Sequence, residues 1–481
     1  MKIAKYIKLQ LLVILAIISL SAMSAMAQSV QSAYFMETVP GRLNMNPALR
    51  PSQGYVGFPG LGNVYVSMAT NTLNINHLYF TGRGPIPVLF MNENVGVDEF
   101  LNKMADNNYL SGDFGETLLS AGWYSGKGFW FFDIGTKGHF ETNIPKSMFE
   151  FAKGGFSDTE DRSYNLKNTN ALASGYLEIG LGHSHSFLDD NLLIGLKAKF
   201  LLGVADANFN IDDLSITGGP TAWKASSKAT LRGAGAVNVK YKPDGKFDTI
   251  ELDEDNLFGF SGYGLGFDIG GAYHFKGMSD MVSTPAISDI LSKLTISMSF
   301  TDIGFISWSK KHALELTSPA TDVTLTSSMD VTGMNFEEMF NQRKDELFEA
   351  IDLQSTDDVP SYSTSLRTTM NWGLEYELMP EKISLGLLSS TYFNHHHTMS
   401  ELTLSGNFRP AKWLATTLSY SFVNSNFRRF GLALHIAPSR GLNFFVASDY
   451  LIPYISDQVL LTTSRGINAQ VGLTIPIGER R

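Results

Sequence analysis

The sequence predicts an all-β chain: a transmembrane antiparallel β-barrel of about fourteen strands, with an N-terminal plug segment and short helices in the outer loops. Three observations predict it. Apolar residues alternate with small or polar ones in short segments, a leader directs export, and the connections between segments alternate short and long.

The leader comes first in the chain. Lys2, Lys5 and Lys8 precede the apolar run LQLLVILAIISL, and small residues ending in Ala25-Met26-Ala27 follow it. That is the layout of a secretory signal peptide over residues 1–27, cut before Gln28. The run is too short for a membrane anchor and has no stop-transfer flank. The chain holds no cysteine, so neither lipid attachment at a cysteine nor a disulfide framework is available to it.

Composition narrows the class. Of 481 residues, 43% are hydrophobic, 12% aromatic and only 17% charged, yet no apolar run beyond the leader reaches the length of a membrane helix. A mean hydropathy of −0.03 therefore reflects apolar residues dispersed by alternation. A net charge of −10 argues against nucleic acid as a partner.

The alternation is explicit in three places. In Gly266 to Phe275, one face collects Phe267, Ile269, Gly271, Tyr273 and Phe275, while Asp268, Gly270, Ala272 and His274 take the other. Leu294, Ile296, Met298 and Phe300 oppose Thr295, Ser297, Ser299 and Thr301. Near the C-terminus, Ile467, Ala469, Val471, Leu473 and Ile475 oppose Asn468, Gln470, Gly472 and Thr474. A soluble sandwich alternates too, but export, a polar opposite face and aromatic strand ends (Phe444 and Phe445, Tyr450 and Tyr454) favour the outer membrane.

Strands are expected near 64–70, 116–124, 128–139, 172–187, 192–204, 262–275, 294–306, 372–378, 382–389, 402–409, 413–422, 430–437, 441–450 and 466–477. Turn chemistry marks the short connections SGKG (125–128), LDDN (188–191), MPEK (379–382), RPAK (409–412) and PSRG (438–441). These belong on the periplasmic side with both termini, and 390–401, 423–429 and 451–465 face outward. The stretches 205–261 and 307–371 leave room for another hairpin, with Lys228 to Tyr241 its best candidate. Helical spacing of apolar residues predicts helices over Val97 to Leu110 and Asn335 to Leu353 in outer loops, and over Pro285 to Leu294 on the periplasmic side.

With the apolar face toward lipid, Glu178, Lys197, Lys199, Asp268, His274, Glu375, Glu377, Arg409, His435 and Asp449 point into the lumen. Their signs are mixed, which suits pairing within a narrow, filled interior better than an ion-selective ring. His395-His396-His397 reads as a solvated loop in preference to a metal site, and the acidic run Asp244 to Asn256 lacks EF-hand spacing. The glycines of Gly259 to Gly271 lie along a strand, not in a phosphate-binding turn. His183, Ser184, His185 and Ser186 match no nucleophile motif, so no catalytic residue, metal ligand or cofactor is expected.

One stretch stands apart: NMNPALRP, Asn44 to Pro51, just before the first strand. Asn46-Pro47 restrains the backbone and Pro51 stops any helix, which makes a compact turn. Its apolar neighbours Tyr34, Phe35, Met36 and Leu43 would be costly to leave in water, so residues 28–63 are expected to fold into the lumen of a barrel formed by 64–481.

The Asn46-Pro47-Ala48 motif after the leader, with about fourteen strands, resembles the FadL-type long-chain fatty-acid and hydrocarbon transporter superfamily. The longer stretch FMETVPGRLNMNPALRPSQGYVGFPGLGNVYVS, Phe35 to Ser67, is similar to a more specific family of Gram-negative outer-membrane barrels of uncharacterised function. The resemblance implies a plug that shifts so that a hydrophobic substrate leaves through a gap in the wall. Only Asn46, Pro47 and Ala48 carry over residue by residue, and the chain ends in PIGERR instead of a closing aromatic. Passive uptake or export of a fatty-acid-like molecule is the expectation, with outer-membrane lipid and a hydrophobic small molecule as partners. A scaffold barrel of a secretion or surface assembly is the alternative.

Overall fold

Ring closure is the feature that organises this chain. A computed structural model describes residues 30–479 apart from 73–76, 78, 81–87, 91, 93, 155–160, 219–222, 242–246, 253–258, 277–282, 319–320, 326–353, 357–358, 425–426, 439–440 and 452–465. The leader and the expected helix Asn335 to Leu353 lie outside the described residues.

Fourteen antiparallel strands form the wall. β1 comes in two pieces, Gly54–Gly57 and Val64–Thr70. It is followed by β2 (Asn107–Ser125), β3 (Gly128–Pro145), β4 (Thr169–Phe187), β5 (Leu192–Gly218), β6 (Gly262–His274) and β7 (Leu294–Trp308). The second half comprises β8 (Thr369–Met379), β9 (Ile383–Phe393), β10 (Thr398–Ala411), β11 (Leu414–Val423), β12 (Phe427–Ile436), β13 (Asn443–Leu451) and β14 (Gly466–Ile477). Each pairs with the next, and β14 pairs back onto β1 through Gly54↔Ile477 and Val64↔Val471, so no edge is left open.

Every expected strand is present and every expected short turn joins neighbours at one end, the turn end. At the opposite, loop end several strands run longer than expected. β2 begins at Asn107 and β5 continues to Gly218, 27 residues in all, where about ten would cross a bilayer. The loop expected over 423–429 shrinks accordingly, since β11 reaches Val423 and β12 starts at Phe427.

Beyond the ring, β5 pairs with Trp223–Ala234, which also pairs with Ala313–Thr317 and Thr321–Leu325. The hairpin expected over Lys228 to Tyr241 is thus divided. Its first part belongs to this outer sheet, and Val237–Tyr241 pairs instead with Phe247–Leu252.

The helix expected over Val97 to Leu110 is also shorter. Helix α1 (Val97–Leu101) stops because Asn107 to Leu110 are taken into β2, opposite Thr142 to Pro145 of β3. Its apolar stripe is packing: Phe100, Leu101 and Met104 cluster with Phe80 and Val95, and Phe100 stacks on Phe90 at 4.3 Å. Helix α2 (Lys146–Gly154) follows β3, and α3 (Pro285–Ser292) lies at the turn end between β6 and β7, as expected. No described helix is long and apolar enough to cross a membrane.

The wall's polarity is inverted relative to a soluble barrel. Ser297, Ser299, Thr403, Ser405, Thr417, Ser419, Asn468 and Gln470 are buried inside, while Leu196, Phe200, Leu265, Leu385, Leu404 and Leu418 are exposed outside. The break in β1, Phe58 to Asn63, is stitched to both neighbours. Phe58 N–H donates to Leu473 O at 2.9 Å, Leu473 N–H to Leu61 O at 2.8 Å and Thr117 N–H to Asn63 O at 2.8 Å.

Candidate functional site in the plugged lumen

Residues 30–53 fill the barrel; the plug expected over 28–63 ends earlier, because Gly54–Gly57 already pair with β14 and β2 as the first piece of the wall. Val30, Ala33, Met36 and Val39 pack on the small inward residues Ala415, Ala433 and Ala447, with Phe445 beside them. Tyr34, Phe35, Met45, Ala48 and Leu49 pack on Leu193, Ala272 and Leu388, and Leu43 on Tyr55, Phe129 and Phe131. The segment has no long helix or strand of its own, only 3₁₀ turns at Gln31–Ala33 and Pro40–Asn44, so its shape is imposed by these contacts.

Its backbone polar groups are satisfied partly by its own turns, as in Tyr34 N–H to Gln31 O at 3.1 Å, and partly by the wall. Gln31 and Ser32 N–H groups donate to the Asp449 carboxylate at 2.5 and 3.2 Å. Ser299 Oγ and Asn371 Nδ2 donate to Met45 O at 2.6 and 2.9 Å, and Ser184 Oγ donates to Ala48 O at 3.0 Å. Arg409 pairs with Glu37 at 2.6 Å.

Asn46 is fully buried and acts in three directions. Its Nδ2 donates to Tyr34 Oη at 3.2 Å, Met298 O at 3.3 Å and Gly271 O at 3.4 Å. Its Oδ1 accepts from Ala48 N–H at 3.0 Å, closing the turn that Pro47 begins. Glycines in the wall make room: a Cβ on Gly270 would strike Asn46 Oδ1, and one on Gly195 the Pro47–Ala48 peptide.

The lumen residues expected from alternation fall into two groups. Glu178, Lys197, Lys199 and Asp268 join one buried network. Lys197 Nζ lies 2.7 Å from Glu178 and 2.8 Å from Asp133, and Lys199 Nζ 2.6 Å from Asp268 and 2.7 Å from Asp302. Lys137 ties Glu178 and Asp302 together at 2.8 and 3.1 Å.

The others stand near the turn end or the plug. His274 meets Thr295 Oγ1 at 2.8 Å, Glu375 accepts from Ser384 Oγ at 2.6 Å, and Glu375, Glu377 and Arg409 line one shallow recess. Asp449 holds the start of the plug, and His435 lines the turn-end mouth.

Sequence reasoning missed Asp302, Arg367, Asp113, His139, Glu141, Glu401 and Arg429. Asp302 follows inward Thr301 and should face lipid, but a register shift in β6–β7 and a φ of 57° turn it inward. Arg367 lies just before β8 and pairs with Asp113 at 2.9 Å, and Arg429 pairs with Glu401.

His183 and Ser184 sit on opposite faces of β4: Ser184 is bonded to the plug while the His183 ring lies on Trp130, which rules out a Ser–His pair there. The three consecutive histidines divide: His395 is exposed, as the solvated-loop reading expects, while His396 and His397 are half-buried. They fold back onto the barrel mouth, His396 N–H donating to Glu141 Oε1 at 2.9 Å and the His397 ring stacking on Tyr109 at 4.4 Å. Within the acidic run, Phe247 to Leu252 form a strand; the rest lies outside the described residues.

Two cavities flank the plug. A chamber of about 50 Å³, lined by Gln31, Tyr65, Lys137, Asp302, Arg367 and Tyr392, is polar and holds little more than water. A larger cavity of about 530 Å³ opens at the turn end between Thr38, Pro40 and Gln53 of the plug and Tyr55, Trp413, His435 and Pro476 of the wall.

A family model described as a family of unknown function (DUF5723) matches residues 47–449. Curated proteins supply no match. Among solved structures, the chain is similar to the toluene transporter TodX of Pseudomonas putida at 7% identity and a TM-score of 0.36, covering 91% of this chain and 94% of that one. It is also similar to the CymD monoaromatic hydrocarbon channel (9%, 0.36, 93% and 95%) and to the translocator domain of the autotransporter NalP from Neisseria meningitidis (8%, 0.32, 92% and 93%).

Proposed function

Because the chain belongs to that family of unknown function, which supplies no activity to inherit, we propose from its geometry a plugged outer-membrane channel for a hydrophobic or amphipathic small molecule. The inverted polarity of the wall supports the membrane, since an exposed belt of Leu, Phe and Ile is unfavourable in water and suited to lipid. The leader supports export to the outer membrane, with the turn end periplasmic.

The turn-end cavity carries the transport reading. Its volume of about 530 Å³ falls in the range of small-molecule sites, and its lining mixes apolar Pro40, Tyr55, Trp413 and Pro476 with polar Gln53, Lys412 and His435. Six of its fourteen lining residues belong to the plug or its junction with β1, so movement of the plug would open the site to the lumen. At rest the channel is closed. The mixed-charge lumen beyond the plug suits an amphipathic passenger better than a bare hydrocarbon.

The plugged, ion-paired lumen also favours a second reading, a scaffold barrel in a secretion or surface-protein assembly. Native mass spectrometry of the detergent-purified barrel, with and without deletion of residues 36–52, separates the two. A retained amphipathic ligand lost on deletion, with flux through proteoliposomes gained, supports the channel. An empty barrel that carries a stoichiometric protein partner and passes nothing after deletion overturns it.

A further inference from the structure

At the loop end, a buried carboxylate faces three imidazoles. Glu141 of β3 is 1% exposed, and its partners within ion-pair range are His139, His395 and His396. No lysine or arginine among the described residues lies within that range of it. A buried carboxylate needs a compensating charge, which a protonated imidazole or a bound cation would supply.

The orientation of the imidazoles is informative. His139 Nδ1 is bonded to Asp113 Oδ1 at 2.8 Å, which turns Nε2 toward Glu141 Oε2 at 3.5 Å. His395 Nε2 is bonded to the Ser365 carbonyl at 3.0 Å, which turns Nδ1 toward Glu141 Oε1 at 3.8 Å. Each ring thus spends one nitrogen on a carboxylate or carbonyl and aims the other at the same point, the arrangement by which outer groups orient metal-bound histidines. His139 Nε2, Glu141 Oε2 and His396 Nε2 are buried and make no hydrogen bond.

We infer that His139, Glu141 and His395 bind a divalent transition-metal ion of the Zn²⁺ class, coordinated by His139 Nε2, a Glu141 carboxylate oxygen and His395 Nδ1. Two ligands of a tetrahedral zinc at 2.0–2.1 Å lie about 3.3 Å apart. The three ligand atoms all lie within 4.8 Å of one another, so binding needs a contraction of up to about 1.5 Å, which a loop histidine accommodates. Imidazole and carboxylate donors suit Zn²⁺ and disfavour Ca²⁺ or Mg²⁺. His396 Nε2, 3.8 Å from Glu141 Oε1, borders the open fourth position. Arg367 pairs with Asp113 at 2.9 Å and not with Glu141.

The consequence is mechanical. β3 and the β9–β10 loop stand on nearly opposite sides of the ring, so the metal fastens that loop across the mouth.

Titration of tag-free, chelator-treated, detergent-purified barrel with Zn²⁺ alone tests this. One ion per barrel should bind with a micromolar or tighter Kd, and Co²⁺ in its place should give the intense visible bands of a four-coordinate ion. His395→Ala, in a loop outside the wall, and Glu141→Gln should each weaken binding at least tenfold, and Asp113→Asn about tenfold. Heat-modifiable gel migration confirms that each variant is folded. The site is overturned if the folded wild type binds no stoichiometric Zn²⁺, or if either ligand variant binds as tightly as wild type.

Discussion

The side chain of Asn46 occupies the space that a Cβ on Gly270 would need, so plug and wall are complementary at the level of single atoms. Gly270→Val should therefore expel the Asn46-Pro47-Ala48 turn while sparing the β6 ladder. Overpacking and the lost Asn46 hydrogen bonds together cost about 2–4 kcal/mol, enough to raise the population of released plug by a factor on the order of 10². Limited proteolysis within residues 30–53 should accelerate accordingly. Gly271→Ala is the control, because its Cβ meets only Leu193 O, at 3.5 Å.

Lys197 is almost fully buried between Asp133 and Glu178. Lys197→Met should destabilise the barrel by about 3 kcal/mol, the lower end for a broken buried pair, since Lys137 and Lys199 still reach Glu178. The double variant Lys197→Met with Asp133→Asn should recover much of that loss, because Asp133 pairs with Lys197 and is the carboxylate left uncompensated by the single change. Unfolding in urea from lipid vesicles, followed by tryptophan fluorescence, measures both.

How much of this was legible in the sequence follows from what each feature depends on. The wall was legible because one face of each strand is apolar and exposed while the other meets polar groups, which writes a period of two into stretches such as Leu294 to Thr301. The extension of β2 over Asn107 to Gly115 was not, since its mostly small and polar residues carry no such contrast, whereas in the extension of β5 Ala207, Phe209 and Ile211 do alternate with Asn208, Asn210 and Asp212. Asp302 was hidden by a local register shift that reverses the expected parity. The approach of Glu141 to His395 joins residues 254 apart in sequence through a loop that folds over the mouth, and no local pattern encodes it.

The plug should loosen in acid. Burial raises the pKa of the Glu37 carboxyl, but the guanidinium groups of Arg409 and Arg42 outweigh this and hold it below its ordinary value of 4.5. A lowered carboxyl pKa adds stability that is present above the ordinary value and is lost as pH falls through the folded one. Protease sensitivity of residues 30–53 should thus rise as pH drops below 4.5, and Arg409→Gln should raise the sensitivity at neutral pH and flatten that rise. A flat profile in wild type would remove the Glu37–Arg409 pair as a plug fastening.

Leu404 offers the sharpest test of the membrane reading. It is 49% exposed, midway along β10, with exposed Leu402 two residues before it and exposed Leu418 on the adjoining strand. In a soluble barrel an exposed leucine can be replaced by arginine with a change of about 0.5 kcal/mol or less. At the midplane of a bilayer the same change costs about 2–4 kcal/mol, because the guanidinium must be drawn into hydrocarbon or dragged to an interface. Leu404→Arg should therefore lower unfolding stability in vesicles by that larger amount, and Leu378→Arg, near the turn end, by about 1 kcal/mol or less. Equal, small effects at both positions would contradict a lipid-facing belt, whereas a depth-dependent difference would locate the bilayer along the wall.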